Sequence, residues 1–362
     1  MSGIYPDIFF DEILSLMYTV NILNKFGMRL FSVVGFIVLL FVSSSIRAQK
    51  HPDKKAYLRA IDKQHEKVVK DLLEYSNTIT QRKKADKITA LGKITLEQVN
   101  RSELKISAMP AFQNDKAFRD SAVSFMKTCF NLLNNEYDKI VSTEPAAEKT
   151  YDKMRKLLAA KVTVNQKLKA ANLFYSAAGM KFDSTYKDDY SNKIQQAIDV
   201  NIYYNNIYLL FFKSYNAEFF LVDAIRKKDG NSVEQNKKIV NQNAQDGLQQ
   251  IDTVKAFNGD NSLAKSCKSV LTFYSQETDE KIEKISAYFP IAKDFQKTRS
   301  EYERKTAHAK DEVATYKTSV AEFNVALSGF NKATHSLDHQ RRKALKKWNH
   351  TAEAFLDKHL PN

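Results

Sequence analysis

Apolar positions after residue 50 recur at intervals of three and four, the spacing that lines one face of an α-helix. The clearest stripe is Phe118, Ala122, Phe125, Met126, Cys129, Leu133, Tyr137 and Ile140. A second stripe, Leu263, Cys267, Val270, Leu271, Tyr274, Thr278, Ile282 and Ile285, stands 145 residues further on without a gap. Both follow an A-F-x-x-D start, Ala111 to Asp115 and Ala256 to Asp260, and both run on to a proline, Pro145 and Pro290. Asp115 and Asp260 sit where a carboxylate accepts N–H bonds at a helix start. The prolines are expected to end each helix and open the next. Two amphipathic helices can look alike by chance, but the shared start and shared proline favour an internal duplication.

With that anchor, the first half divides into helices at about 52–80, 89–107, 114–141 and 145–178. The second half gives 191–227, 232–254, 258–288 and 290–329, and a further helix covers 335–359. Linkers fall where Gly, Asp and Ser cluster, at "AGMKFDSTYKDD" and "KKDGNS". Four helices with short connections make an antiparallel bundle. The expected fold class is therefore all-α: two tandem, internally duplicated bundles, residues 49–188 and 189–333, plus a basic C-terminal helix, 334–362. Nine glycines and six prolines in 362 residues are too few for a turn-rich β fold and agree with this.

The helix 191–227 breaks the symmetry. "NIYYNNIYLLFFKSYNAEFFLVDAI" is apolar nearly all round, so it is either buried centrally or docks onto a partner through Tyr204, Tyr208, Phe211, Phe212 and Tyr215. Asn205, Asn206, Lys213, Asn216 and Glu218 would be costly in lipid, which excludes a membrane span.

The segment before residue 50 sets the compartment. "MRLFSVVGFIVLLFVSSSIRAQ", Met28 to Gln49, has the charged start, apolar run and small residues of a secretory signal cut near Ala48. Its uncharged run, Leu30 to Ile46, falls short of the roughly 20 apolar residues of a spanning helix, although a signal anchor is the alternative. Residues 1–27 then read as an upstream extension of the true start. Export gives a periplasmic or outer-membrane-associated protein. In that compartment the polyanions that a net charge of +14 could meet are anionic lipid and glycan, with no nucleic acid, but lysines spread along most helices read first as a solvated surface. Cys129 and Cys267 both lie on apolar stripes, which favours buried free thiols over a disulfide.

Chemistry is scarce. No phosphate-binding glycine loop, serine-hydrolase elbow, zincin helix or haem motif is present, so no enzyme activity, catalytic residue or cofactor is expected. Most carboxylates stand four residues from a lysine, as in surface helix pairs. "HSLDHQ" places His335 and His339 one turn apart with Asp338, a metal site if a further ligand converges and otherwise surface decoration. The adjoining Arg341, Arg342, Lys346, Lys347 and Trp348 suggest either an interfacial helix or a solvated one.

The segments "AFQNDKAFRDSAVSFMKTCFNLLNNEYDKI" and "TYDKMRKLLAAKVTVNQKLKAANLFYSAAGMKF" resemble a family of exported all-helical bacterial proteins of unknown function, over residues 57–193. The resemblance implies an envelope location and a helical fold, and brings no catalytic residues. The expected function is that of an exported binding or scaffold protein of a Gram-negative envelope, meeting an envelope protein partner or membrane complex through helix faces. The alternative is a periplasmic metal- or small-ligand-binding bundle using His335 and His339.

Overall fold

The structure is a computed structural model and describes residues 53–361. The expected upstream extension and signal segment lie outside the described residues. The described chain is about 85% helical and contains no strand, so the fold is all-α. None of its helices is long and apolar enough to cross a membrane.

In chain order the helices are α1 (Lys54–Thr80), α2 (Ala85–Ser107), α3 (Ala117–Asn131), a π-helical stretch (Leu132–Tyr137), α4 (Asp138–Ala147), α5 (Tyr151–Phe182), α6 (Ser191–Lys227), α7 (Gly230–Ile251), α8 (Ser262–Ser286), α9 (Tyr288–Glu303) and α10 (Lys310–His359). α2 packs on α1 and α3, and α3 packs on α5. Further on, α7 packs on α6 and α8, and α8 packs on α10. α5 against α6 is the main seam between the two sets.

All sixteen positions of the two sequence stripes are buried. The correspondence also reaches helices whose sequences show no likeness. In α2, Ile88, Thr95, Val99, Ser102 and Ile106 are buried; 145 residues on, so are Val233, Val240, Ala244, Gly247 and Ile251 of α7. α1 matches the later part of α6 at an offset of 146. Both helices end on a left-handed residue, Arg82 (φ 51°) and Lys228 (φ 55°). Each is followed by an N–H that reaches back five residues, Lys83 N to Thr78 O (3.2 Å) and Asp229 N to Ala224 O (3.0 Å), closing the helix in a Schellman-type turn.

The fourth helix of the second set is the C-terminal part of α10. The ring cluster of Tyr57, Phe112 and Phe182 has centroids 5.4–5.7 Å apart, and Tyr203, Phe257 and Phe355 repeat it at 5.2–5.8 Å. Tyr175 stacks on His65 at 3.9 Å, and Trp348 on Phe211 at 4.6 Å. Phe182 to Phe355 and Tyr175 to Trp348 are both offsets of 173. The offset thus grows from 145 to 173, so the second set carries 28 more residues between its third and fourth helices. They form α9 and the start of α10, which pair with each other. No residue from 289 to 329 is buried.

Several expected boundaries move. The repeat helices begin at Ala117 and Ser262 because A-F-x-x-D is a tight turn. Phe112 and Asp115 exchange backbone bonds of 3.0 and 2.8 Å, and Phe257 and Asp260 of 2.9 and 2.8 Å. The central residues Gln113 and Asn114, and Asn258 and Gly259, all have positive φ, as a type I′ turn requires. Each Asp side chain accepts from the N–H two residues on, Ala117 N (2.8 Å) or Ser262 N (2.9 Å), an Asx turn ahead of the helix cap. Pro145 lies inside α4 and Pro290 in the first turn of α9, where a missing N–H costs little. The break expected near Gly329 is absent, and the helix expected at 335–359 is the end of the 50-residue α10. Its stripe stays in phase through that point, at Val320, Phe323, Leu327, Phe330, Thr334 and Leu337.

The two Asp turns differ in one respect. Asp260 also receives Lys358 Nζ (2.8 Å) and His359 Nε2 (3.0 Å) from the end of α10. Asp115→Ala is expected to cost about 1 kcal/mol, the value of one capping interaction. Asp260→Ala should cost more, about 2 kcal/mol, and loosen the last turn of α10. Denaturant midpoints of the two variants, with proteolysis at the C-terminus, check this.

Candidate functional site

Four of the five aromatic residues proposed as a partner surface are core. Tyr204, Tyr208, Phe211 and Phe212 are buried and Tyr215 is half-buried, so α6 is the central helix and these side chains are not a docking face. Its asparagines bind the first set: Asn201 Oδ1 accepts from Thr80 Oγ1 (2.9 Å), and Asn205 Nδ2 and Asn216 Nδ2 donate to the carbonyls of Leu158 and Lys149 (both 3.3 Å). Arg82 joins the same seam, donating to Tyr208 OH (2.7 Å) with Glu144 3.5 Å from its Nε.

Trp348 is 1% exposed and stacks on Phe211, so it is a core residue and not an interfacial anchor. Arg342, Lys343, Lys346 and Lys347 lie on the opposite, exposed face of α10. Arg342 is paired there with Asp338 (2.7 Å). His335 and His339 are exposed on the same helix. Among the described residues no group of three or more His, Cys, Asp and Glu is placed to hold a metal, so no further ligand converges on this pair. Cys129 and Cys267 are buried free thiols. Burial pushes the Cys267 thiol up to about 12 and Cys129 higher still, which keeps both protonated and unreactive.

Arg341 behaves differently from its basic neighbours. Its Nε lies 3.2 Å from Glu218 Oε1, and that carboxylate is 2% exposed. Glu277 and Tyr274 of α8 complete the cluster, both almost wholly buried. Glu277 has Lys281 one helical turn away, the spacing of a surface pair. Instead its side chain turns into the core, while Lys281 bonds Gln340 of α10. Burial raises Glu218 to about 7 despite the nearby guanidinium, and raises Glu277 well above the ordinary carboxylate range with Glu218 adding to the effect. Arg341 Nε and Glu218 Oε1 face each other as an ion pair, while neither Glu277 oxygen has a hydrogen-bond partner among the described residues.

The structural correspondence gives this cluster its meaning. At offsets of 146, 145, 145 and 173, Glu218, Tyr274, Glu277 and Arg341 match Leu72, Cys129, Leu132 and Leu168 of the first set. All four of those are buried and apolar. The same helix arrangement therefore packs without these charges. Replacing buried ions by apolar residues is often neutral or stabilising, so the cluster is not explained by stability.

The first set has buried polar groups too, and the main ones are joined in a network, although His65 Nδ1 and Ser121 Oγ are without a partner among the described residues. His65 Nε2–H donates to Asn172 Oδ1 (2.8 Å), whose Nδ2 donates to Asp188 Oδ2 (3.0 Å) and Ser191 Oγ (3.0 Å). Asp188 also accepts from Ser176 and Ser191 hydroxyls and from the N–H groups of Tyr190 (2.9 Å) and Ser191 (3.0 Å), opening α6. Burial alone would raise Asp188; these donors outweigh it and hold the carboxylate below its usual range.

No protein-family model, curated protein or solved structure matches the chain. The site is therefore read from its chemistry alone. Glu218 stands in the sequence only as a polar residue on an apolar helix, and Glu277 and Tyr274 carry no motif. Comparing the copies reveals Glu277 opposite Leu132, but Glu218 meets Leu72 only after the one-residue shift between α1 and α6.

His65 gives the first set a defined acid response. Burial lowers its pKa from 6.5 to about 4, so the folded state disfavours the cation. The stability this confers is full above pH 6.5 and is lost as pH falls through about 4, a difference of about 3 kcal/mol. His65→Phe, the residue that Phe211 supplies in the second set, should cost about 1–3 kcal/mol at pH 7.5 through the orphaned Asn172 oxygen. It should also remove most of the loss between pH 6.5 and 4, as read from thermal melts across that range.

Proposed function

We propose that this chain is an exported, non-catalytic scaffold of a Gram-negative cell envelope, built from two diverged copies of one four-helix unit. The arm formed by α9 and the start of α10 is the part it presents to an envelope protein partner. The observation that carries this reading is that residues 289–329 contain no buried side chain, in the one segment where the second copy is longer than the first.

The arm is held by a narrow seam. Phe295 stacks on Phe323 at 4.3 Å, Tyr302 on Tyr316 at 4.2 Å, and His308 on Tyr302 at 3.7 Å. This is the geometry of a two-stranded antiparallel coiled coil, with one apolar stripe per helix and polar residues elsewhere. Forty-one residues without one fully buried side chain add less to the stability of the body than a packed helix pair would, because stability follows buried apolar area. Presentation of a surface explains such a segment better than packing does. The exposed Arg342, Lys343, Lys346 and Lys347 stand further along the same helix and suit an anionic lipid or glycan near the partner. Envelope location rests on the Met28–Gln49 segment.

Removing Phe295–Glu322, 28 residues, and closing the gap with a short Gly-Ser turn restores the first copy's spacing. The shortened chain is expected to melt within a few degrees of the parent while losing the crosslinks that the parent makes in envelope fractions. Unchanged crosslinks would move the contact off the arm. Reading the N-terminus of the recovered parent chain tests export: a start near Gln49 supports it, and an uncut start returns the anchor alternative.

A further inference from the structure

The Glu218 cluster sits about three turns of α10 inside the point where that helix leaves the packed helices for the arm. Arg341 is on α10 between Leu337 and Trp348, both buried against the second set, and the arm ends next to Phe330. α6 contributes Glu218 and the half-buried Tyr215, α8 contributes Tyr274, Glu277 and Lys281, and α10 contributes Arg341 and Asp338. α7 meets this side of α8 with neutral amides: Gln245 donates to Ser275 (2.7 Å), which lies 3.4 Å from Asn241 Oδ1.

One cation, the partly exposed Arg341, faces two buried carboxylates. With one proton between them, the cluster holds one anion against Arg341 and is neutral. With none, an uncompensated negative charge remains in a region where Glu277 has no donor for either oxygen among the described residues. A buried unpaired charge costs several kcal/mol, and the structure can relieve it only by admitting water. The helix best able to yield is α10, because Arg341 is the partly exposed member, its side chain 28% accessible.

We propose that Glu218 and Glu277 hold one proton between them at neutral pH, and that its loss as pH rises further loosens the seat of α10 on α6 and α8. The pair is a latch, closed through neutral pH and released toward alkaline pH. Burial raises Glu218 to about 7 and Glu277 well above the ordinary carboxylate range, so Glu218 ionises first and pairs with Arg341; the stability held by the remaining proton is present below that and is lost only as pH rises past the raised value of Glu277. The direction is opposite to that of His65, which separates the two titrations. This goes beyond the scaffold reading and stands whether or not the arm binds a partner.

The test is hydrogen exchange of the full chain between pH 7 and 10, corrected for intrinsic rates, comparing peptides over 330–345 of α10 with peptides over 88–106 of α2. Release of one proton shifts an opening equilibrium by up to tenfold per pH unit. The α10 peptides are expected to open at least tenfold more at pH 10 than at pH 7 relative to α2. Glu277→Leu, which installs the first copy's residue, should flatten that response. The triple variant Glu218→Leu, Glu277→Leu, Arg341→Leu leaves no charge of the cluster behind, so it should fold and be flat, and it decides the comparison if the single variant fails to fold. An α10 response in the parent no larger than that of α2, or a parent-like response in the variants, overturns the latch.

Discussion

A single helix that must bury most of its circumference sets the plan of this molecule. α6 is apolar nearly all round, and a helix with that surface is stable only when neighbours cover most of it. α5 covers one side, and α7, α8 and α10 cover others, while Ile202, Phe219 and Phe220 stay exposed. Its few polar residues serve the same end, since Asn201, Asn205 and Asn216 spend their hydrogen bonds on the first set. The two sets of helices are thereby tied through a common member.

The likeness between the sets lies in buried positions and turn geometry, with little identity in sequence. Left-handed Arg82 and Lys228 end equivalent helices although arginine and lysine have no preference for positive φ; the turn demands it and the long side chains tolerate it. The ring clusters recur with different members, tyrosine and histidine in one set against tryptophan and phenylalanine in the other. Side-chain volume and burial are held while chemistry changes, as expected where packing is the constraint.

The two cores differ most in how they treat polarity. The first buries His65, Asn165 and Asn172 with partners for their main hydrogen-bonding groups, a network that stiffens the core. The second buries two carboxylates and a tyrosine with one guanidinium, leaving acceptors without donors among the described residues. Equivalent positions in the first set are leucines and a cysteine, so the fold does not require the charges. The charges are therefore a feature of the second set alone, on the same long helix, α10, that carries the arm.

Much of this was legible along the chain. The 3.6-residue period points to the all-helical fold, the A-F-x-x-D pair marks two turns of like geometry, and helix 191–227 is readable at its observed limits, because these signals are local. Burial of the two cysteines also followed from their stripes. Packing decided the rest. Trp348 and the α6 aromatics look equally ready for a partner or a core in one dimension, and only the position of α10 shows that they meet each other. Glu277 has a lysine one turn away, as surface residues do; that it points inward depends on which face of α8 the neighbours occupy. Arg341 belongs by sequence to a basic run and by structure to a buried pair. Periodicity fixes which residues share a face, since that follows from helix geometry alone; which face meets which is set by contacts between segments far apart in the chain, and the sequence carries no local record of those.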